Sequence, residues 1–204
     1  VWKKNYYSKS EKKQNPILFF ANNKKSIIIA DNLAKYYSLD AVTGELRWSK
    51  DNNAPFNSQI KIYKDKFFII DFENTLRAYS VNDGREIWKI KTAKSLIRTQ
   101  KKLSLVIVDN KIYFNNSLGD ISSVDIKTGE LIWQTPTQSS TIYENAFNLI
   151  LSDLVAQGDS LIFSNNRNEL YSLSLNNGLI NWKQDINSNV RSIFYNDLIF
   201  SISN

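Results

Sequence analysis

The 204-residue sequence contains no cysteine, no histidine and no methionine. Without cysteine the chain can form no disulfide, no thiolate zinc site and no thiol nucleophile. Without histidine it lacks the commonest general base and the usual activator of a nucleophile. These absences leave carboxylates as the main candidates for chemistry within this span.

Motifs of nucleotide-binding and hydrolytic enzymes are also missing. The sequence has no Gly-x-x-x-x-Gly-Lys, no Gly-x-Gly-x-x-Gly and no Gly-x-Ser-x-Gly, and no run of eighteen apolar residues. Among the carboxylates, Asp40 and Asp125 recur at one place in a repeat, which favours turn hydrogen bonds. Asp31, Asp71 and Glu73 follow apolar segments, where polar turn residues are expected. We therefore predict no catalytic residue, no metal site and no cofactor.

Basic residues outnumber acidic ones, 26 to 20, which gives a net charge of +6. Such an excess can indicate an anionic partner. The lysines, however, are spread over predicted turns and alternate strand positions. The densest cluster, Lys9, Lys12 and Lys13, is interpreted as a solvated loop. We expect no nucleic-acid partner.

A repeat dominates what is present. Four times a glycine is followed four residues later by a tryptophan, and the tryptophans are 40, 45 and 49 residues apart. This period is typical of propeller blades or solenoid repeats. Trp2 lies 46 residues before the first repeat tryptophan and is interpreted as the end of one more unit. The four pairs are Gly44/Trp48, Gly84/Trp88, Gly129/Trp133 and Gly178/Trp182.

Each unit contains the same four apolar segments. In the third unit they are residues 103–108, 111–114, 121–126 and 131–133, with Asn, Asp and Gly clusters between them. Short β-rich segments separated by turn residues predict an antiparallel meander. The repeat glycine supplies a positive φ between the third and fourth strands.

The repeat predicts an all-β fold, a β-propeller of four-stranded antiparallel blades. Radial stacking covers both faces of such sheets, and a β-solenoid is the alternative. The predicted blades are 16–51, 57–92, 102–136 and 148–186, with a partial blade at 188–204 and another ending at Trp2. We expect a single domain that is part of a larger propeller of about eight blades; a complete small propeller is the alternative.

The repeat tryptophans are predicted to be structural. A tryptophan at one place in every blade, packed on the neighbouring blade's turn glycine, buries a large apolar area. Truncating one to alanine is expected to cost about 3–5 kcal/mol. The eight glycines and tryptophans are therefore assigned to blade docking.

Two connections between units are longer than the others, residues 92–102 and 135–148. Loops on a rigid scaffold are where binding usually resides. The first loop contains Ser95-Leu-Ile-Arg98, and aliphatic side chains beside an arginine are typical of interface anchors. A short strand with Leu96 or Ile97 pointing inward is the alternative.

The repeat frame resembles that of the quinoprotein-like (PQQ-like) propellers, Ala-x-Asp-x-x-Thr-Gly-x-x-x-Trp. Residues 38–48 and 123–133 match it with serine in place of alanine, whereas the other two units have Ser80 and Ser174 in place of the aspartate. The resemblance admits a quinoprotein dehydrogenase, whose cofactor lies between a tryptophan floor and a ring of adjacent cysteines, with calcium held by Glu, Asn and Asp. The cysteines are absent here.

The order of segments is similar to that of the propeller lipoproteins of the outer-membrane β-barrel assembly machinery. It comprises residues 95–98, the blade ending at Trp133, a polar loop and Leu151-Ser-Asp153. The resemblance implies a non-enzymatic scaffold at the periplasmic face of the outer membrane, with a lipid anchor outside this sequence. Its implied partners are the barrel-forming subunit and unfolded outer-membrane proteins. The implied contacts are Leu96, Ile97, Arg98 and Asp153; a generic binding propeller is the alternative.

Overall fold

The computed structural model describes residues 2–92, 101–137, 150–196 and 198–203. These ranges contain one short helix and eighteen strands, and none of their helices is long and apolar enough to cross a membrane. The elements are α1 (Lys9–Lys13), β1 (Leu18–Asn22), β2 (Ser26–Asp31), β3 (Lys35–Asp40), β4 (Leu46–Asp51), β5 (Lys61–Tyr63), β6 (Lys66–Ile70), β7 (Thr75–Ser80), β8 (Glu86–Lys91), β9 (Leu105–Val108), β10 (Lys111–Asn115), β11 (Ile121–Asp125), β12 (Leu131–Thr135), β13 (Val155–Gln157), β14 (Ser160–Asn165), β15 (Glu169–Ser174), β16 (Ile180–Gln184), β17 (Ile193–Tyr195) and β18 (Leu198–Phe200).

The strands form four sheets of four strands, each in sequence order, and one two-stranded sheet, β17–β18. In every complete sheet the first strand pairs antiparallel with the second and the second with the third, so each sheet is a meander. We refer to the four complete sheets, in chain order, as blades 1 to 4. The predicted fold class is confirmed: an all-β protein of propeller blades, four complete and one partial. The chain divides into two compact units, residues 1–89 and 90–204.

The two inner strands of each blade hold its core, because β-branched and aromatic residues fill both of their faces. Strands β6 and β7 are buried along almost their entire length, whereas the outer strands β4, β8 and β16 are mostly exposed. Within residues 1–89 one apolar cluster includes Phe56, Phe67 and Tyr79. Within residues 90–204 another includes Phe163 and Tyr171.

The turn between the third and fourth strands has the same structure in every complete blade. The backbone N–H of the repeat glycine donates to the carbonyl of the residue four positions earlier, at 2.9 Å in all four blades. The glycines adopt φ values between 68° and 78°, which a side chain would strain. In blade 1, Asp40 Oδ1 also accepts the N–H groups of Val42 and Thr43, each at 2.9 Å. In blade 2, Ser80 Oγ takes over part of this role by accepting the N–H of Asn82.

One segment differs from its interpretation as a loop. Residues Lys9–Lys13 form α1, a single helical turn closed by a capping box between Ser8 and Glu11. The hydroxyl of Ser8 accepts the N–H of Glu11 at 3.2 Å, and the Glu11 carboxylate accepts the N–H of Ser8 at 2.6 Å. The signature Ser-x-x-Glu was present in the sequence, but five residues are too few for a helical apolar pattern to show.

Candidate binding surface

Two of the repeat tryptophans, Trp48 and Trp133, lie against the turn glycine of the following blade. A Cβ atom added to Gly84 would be 2.7 Å from the indole of Trp48, and one added to Gly178 would be 2.4 Å from that of Trp133. The indole N–H of Trp48 donates to the carbonyl of Val81 at 3.0 Å. Each ring thus combines face contact on a glycine with one directed hydrogen bond.

Trp2 makes the same kind of contact. A Cβ added to Gly44 would be 2.4 Å from its indole, and the nearby Tyr6 hydroxyl donates to the Gly44 carbonyl at 2.6 Å. The Gly84 carbonyl likewise accepts the hydroxyl of Tyr36, at 3.0 Å. Gly44 and Gly84 therefore each lie against an indole ring, and the carbonyl of each accepts a hydrogen bond from a tyrosine hydroxyl.

The four repeat tryptophans occupy equivalent outer strands, but their exposure differs. Trp133 is buried, with 9% of its surface exposed, whereas Trp48, Trp88 and Trp182 are half-buried. The ring of Trp88 packs on Phe68 at a centroid distance of 5.7 Å. Burial of the tryptophan is thus complete in one blade only.

A second recurring feature is an Asp or Asn at the end of each second strand. The carboxylate of Asp31 accepts the backbone N–H groups two and four residues ahead, at 2.8 and 2.9 Å. Asp71 does the same at 2.9 and 3.1 Å, and Asn116 at 2.9 and 3.0 Å. Asn165 accepts the N–H two residues ahead at 2.9 Å. These side chains are nearly or completely buried and close the turn between the second and third strands.

In blade 2 this turn also anchors a buried arginine. Arg77 Nε donates to Asp71 at 2.9 Å, and its terminal nitrogen donates to Glu86 at 2.5 Å. Burial by itself would lower the pKa of Arg77, but the hydrogen bonds and charges of its acidic partners raise it overall. The guanidinium therefore stays charged and ties strands β7 and β8 to the turn.

Among the residues assigned to partner binding, the described ranges include Asp153. It is half-buried and lies between Leu151, which pairs with Asn165, and the start of β13. On one side of it the hydroxyl of Ser152 accepts the N–H of Ser164 at 2.9 Å. On the other side the N–H of Leu154 donates to the hydroxyl of Ser104 in the connection before β9, at 3.0 Å. These contacts fix the backbone of Asp153 within blade 4.

Lys101 belongs to the same region. Its ammonium group donates to the carbonyl of Asn189 at 2.9 Å. Burial lowers the pKa of Lys101, while the negative charge of Asp153 acts in the opposite direction. The charge of Asp153 thus favours the protonated form of Lys101.

A pocket opens beside Lys101. Its lining combines two lysines with buried amide, hydroxyl and leucine side chains: Lys101, Lys102, Leu103, Asn115, Asn116, Ser117 and Leu151. The sequence analysis assigned Lys101 and Lys102 to a lengthened connection and residues 115–117 to a turn. No pattern within either segment indicated that the two meet, since the contact joins separate segments of the chain.

Leu96, Ile97 and Arg98 lie outside the described residues. Their assignment to partner binding stays a prediction. In the described ranges, acidic side chains do not converge in a group of three that could hold a metal ion.

The comparison with family models assigns the chain. A model described as "Outer membrane protein assembly factor BamB" matches residues 1–204. The chain belongs to this family. No curated protein sequence gives a significant match.

Solved structures with a similar fold include a BamB protein. BamB from Moraxella catarrhalis has a TM-score of 0.77 and 16% sequence identity, over 90% of this chain and 56% of that one. The chain thus spans little more than half of that BamB structure. The computationally designed Ika8 protein has a TM-score of 0.71 at 10% identity, over 90% of this chain and 54% of that one.

An enzyme is also similar in fold. The quinohemoprotein alcohol dehydrogenase ADHIIG from Pseudomonas putida HK5 has a TM-score of 0.63 at 12% identity, over 89% of this chain and 37% of that one. At such identities the likeness to BamB, to Ika8 and to the dehydrogenase concerns the fold alone.

Proposed function

We propose that this protein is a non-enzymatic scaffold that binds protein partners during outer-membrane β-barrel assembly, at the periplasmic face of the outer membrane. The observation that carries the proposal is the match of the BamB family model to the whole chain. The expected partner is the barrel-forming subunit of the assembly machinery. A scaffold needs no cofactor, since its role is to hold partner domains in a fixed orientation.

The proposed contact surface is built around Asp153, with Leu96, Ile97 and Arg98. Asp153 is held by a well-bonded backbone and keeps part of its surface exposed, as a partner contact requires. Its negative charge favours the protonated form of Lys101. Arg98 precedes Lys101 by three residues, and three residues span at most about 11 Å. The chain thus permits the four residues to act on one partner.

The outer strand of each blade supports a second type of contact, with unfolded outer-membrane proteins. Strands β4, β8, β12 and β16 stand at the edge of their sheets, and most of their residues are exposed. An edge strand presents unpaired N–H and C=O groups to which an extended peptide can add. Because such binding uses the peptide backbone, it would tolerate different peptide sequences. A scaffold that binds many different outer-membrane proteins requires this tolerance.

A binding assay with matched variants tests the proposal. The full-length protein is titrated with the periplasmic domains of the barrel-forming subunit, comparing Arg98→Ala and Asp153→Asn with the wild type. Loss of an interface hot spot costs about 2 kcal/mol or more, so each variant should bind roughly 30-fold more weakly.

The controls remove the same charges elsewhere. Arg85→Ala and Asp159→Asn alter exposed residues; Arg85 lies in the turn between β7 and β8 of blade 2, and Asp159 lies in the turn between β13 and β14, at the other end of blade 4 from Asp153. Both controls should bind like the wild type. Unchanged affinity of a folded Arg98→Ala protein, or equal loss in the controls, would contradict the proposed surface.

A further inference from the structure

The positive charge of the protein is concentrated at one end of the sequence. Residues 1–25 contain seven lysines and a single acidic residue, Glu11. The remaining 179 residues contain 19 basic and 19 acidic side chains. The net charge of +6 therefore resides entirely in the first 25 residues, and the lysines are less evenly scattered than the composition suggests.

This segment is fastened to blade 1. Trp2 packs on Gly44, and the Tyr7 hydroxyl donates to the buried carboxylate of Asp31. Further along, Lys35 Nζ donates to the carbonyl of Tyr6 at 3.1 Å and to the Glu11 carboxylate at 2.9 Å. The rings of Tyr6 and Tyr7 both pack against Tyr37, at centroid distances of 6.1 and 6.2 Å. The lysines are thus carried on an ordered support.

Helix α1 gives three of these lysines a common direction. Lys9, Lys12 and Lys13 are spaced i, i+3 and i+4, which places them on one face of a helix. Glu11, the residue that ties the helix to Lys35, lies on the opposite face. All three lysines are exposed, and in the described part of the chain none of them forms an ion pair with an acidic side chain.

We propose that this basic face of α1 binds the anionic headgroups of a lipid bilayer. Clustered lysines near a membrane surface are attracted to acidic lipids, and the attraction adds up over the cluster. The other lysines of residues 1–25 strengthen the field that orients the molecule toward such a surface. Such binding would hold the protein close to the membrane at which its proposed function takes place. That biological role rests on the proposed function, whereas the binding to lipid does not.

The composition of the face favours lipid over a protein or nucleic-acid partner. Helix α1 consists of three lysines, Ser10 and Glu11, with no arginine and no aromatic residue. Protein interfaces are enriched in arginine and aromatic anchors and depleted in lysine. Single-stranded nucleic acids are held by stacking on aromatic rings. Flexible ammonium groups that act as point charges suit a diffuse layer of headgroups.

Vesicle binding of the purified protein tests the inference. Co-sedimentation is measured with vesicles of phosphatidylglycerol and phosphatidylcholine and with phosphatidylcholine alone, at low and at physiological ionic strength. The triple variant Lys9→Gln/Lys12→Gln/Lys13→Gln should partition onto the acidic vesicles roughly 100-fold more weakly. The corresponding triple arginine variant, which keeps the charge, should bind.

A matched control removes three charges from the other end of blade 1. Lys25 is bonded through its backbone carbonyl to Ala41, beside the turn that contains Gly44, whereas α1 is bonded to Lys35 at the opposite end. The variant Lys3→Gln/Lys24→Gln/Lys25→Gln therefore lowers the net charge equally without touching α1. It should lose far less binding than the α1 variant.

Several results would overturn the inference. Absence of binding to acidic vesicles at low ionic strength would do so, as would equal losses in the two triple glutamine variants, which would show that only net charge matters. Tighter binding to polyglutamate than to acidic vesicles would point to an acidic protein partner instead. Binding that is equal on neutral and acidic vesicles would also contradict it.

Discussion

At the scale of single residues, the repeat glycine meets two separate requirements. Gly84 has a φ of 68°, and a Cβ there would be 2.7 Å from the indole of Trp48. Gly158 has a φ of 53°, yet nothing lies within 4 Å of the position its Cβ would take. A side chain at Gly158 would therefore meet only backbone strain, whereas a side chain at Gly84 would also clash with a docked ring. The regular spacing of glycine and tryptophan in the sequence could predict this pairing because both requirements recur at Gly44, Gly84 and Gly178.

Substituting alanine at these two glycines should produce different losses of stability. Gly158→Ala carries only the strain of a positive φ, about 1–2 kcal/mol. Gly84→Ala adds a clash with an indole that is held by its own hydrogen bond to Val81, and such overpacking costs about 1–3 kcal/mol more. Urea unfolding of both variants measures the difference. Equal destabilisation of the two would show that the tryptophan yields at no cost.

At the scale of secondary-structure elements, the sequence predicted the strands and the turns better than the helix. Alternation and turn residues mark the strands locally. The capping of the β2–β3 turn by Asp31 and of the β6–β7 turn by Asp71 is also local, and the expectation of polar turn residues there agrees with the structure. The position of α1 depends instead on Lys35, which is 24 residues from Glu11 in the sequence. No local pattern encodes a partner at that distance.

The anchoring of α1 should depend on pH. The Glu11 carboxylate accepts hydrogen bonds from the side chain and the backbone of Ser8 and is paired with Lys35. These contacts lower the pKa of Glu11 from 4.5 to about 2. Because the folded-state pKa is depressed, the stabilisation is complete above pH 4.5 and is lost as the pH falls through about 2. NMR signals of the α1 amides should therefore titrate near pH 2.

Glu11→Gln provides the control for this titration. The glutamine side chain can still accept the N–H of Ser8, but it has no carboxylate that could be protonated. The α1 amides of this variant should therefore show no transition in the acid range. Transitions at pH 4.5 in the wild type would mean that Glu11 is not held by Ser8 and Lys35 in solution.

At the scale of the whole molecule, repetition made the fold predictable, whereas contacts between distant segments of the chain could not be predicted. Four copies of one frame in constant phase define a blade, and the blades follow one another along the chain. Ser104 and Leu154 are 50 residues apart in the sequence, and the hydrogen bond between them forms only because blades 3 and 4 are both folded. Likewise, the pocket lined by Lys101 and Asn116 is formed by a connection and a turn whose sequences share no pattern. The sequence pattern of a single repeat therefore does not predict features that form between distant segments.

Two tryptophan rings bear on the distinction between a scaffold and a quinoprotein enzyme. In the quinoprotein dehydrogenases a tryptophan forms the floor on which the cofactor lies. Here the rings of Trp48 and Trp133 face turn glycines, and their N–H groups donate to the carbonyls of Val81 and Leu175. Both are committed to contacts between blades. Neither of these two rings is free to form such a floor, and under the proposed scaffold function we expect the protein to bind no pyrroloquinoline quinone, with or without calcium.

Thermal unfolding with added quinone and calcium checks this expectation. A ligand present at a hundredfold excess over its Kd stabilises the folded state by about 2.7 kcal/mol, and for a chain of this size each kcal/mol raises Tm by about 2–4 °C. A bound cofactor would thus raise Tm by about 5–11 °C, whereas we expect no shift. Calcium alone and quinone alone serve as controls for non-specific effects. A shift of that size that requires both additives, accompanied by alcohol-dependent dye reduction, would favour the dehydrogenase over the scaffold.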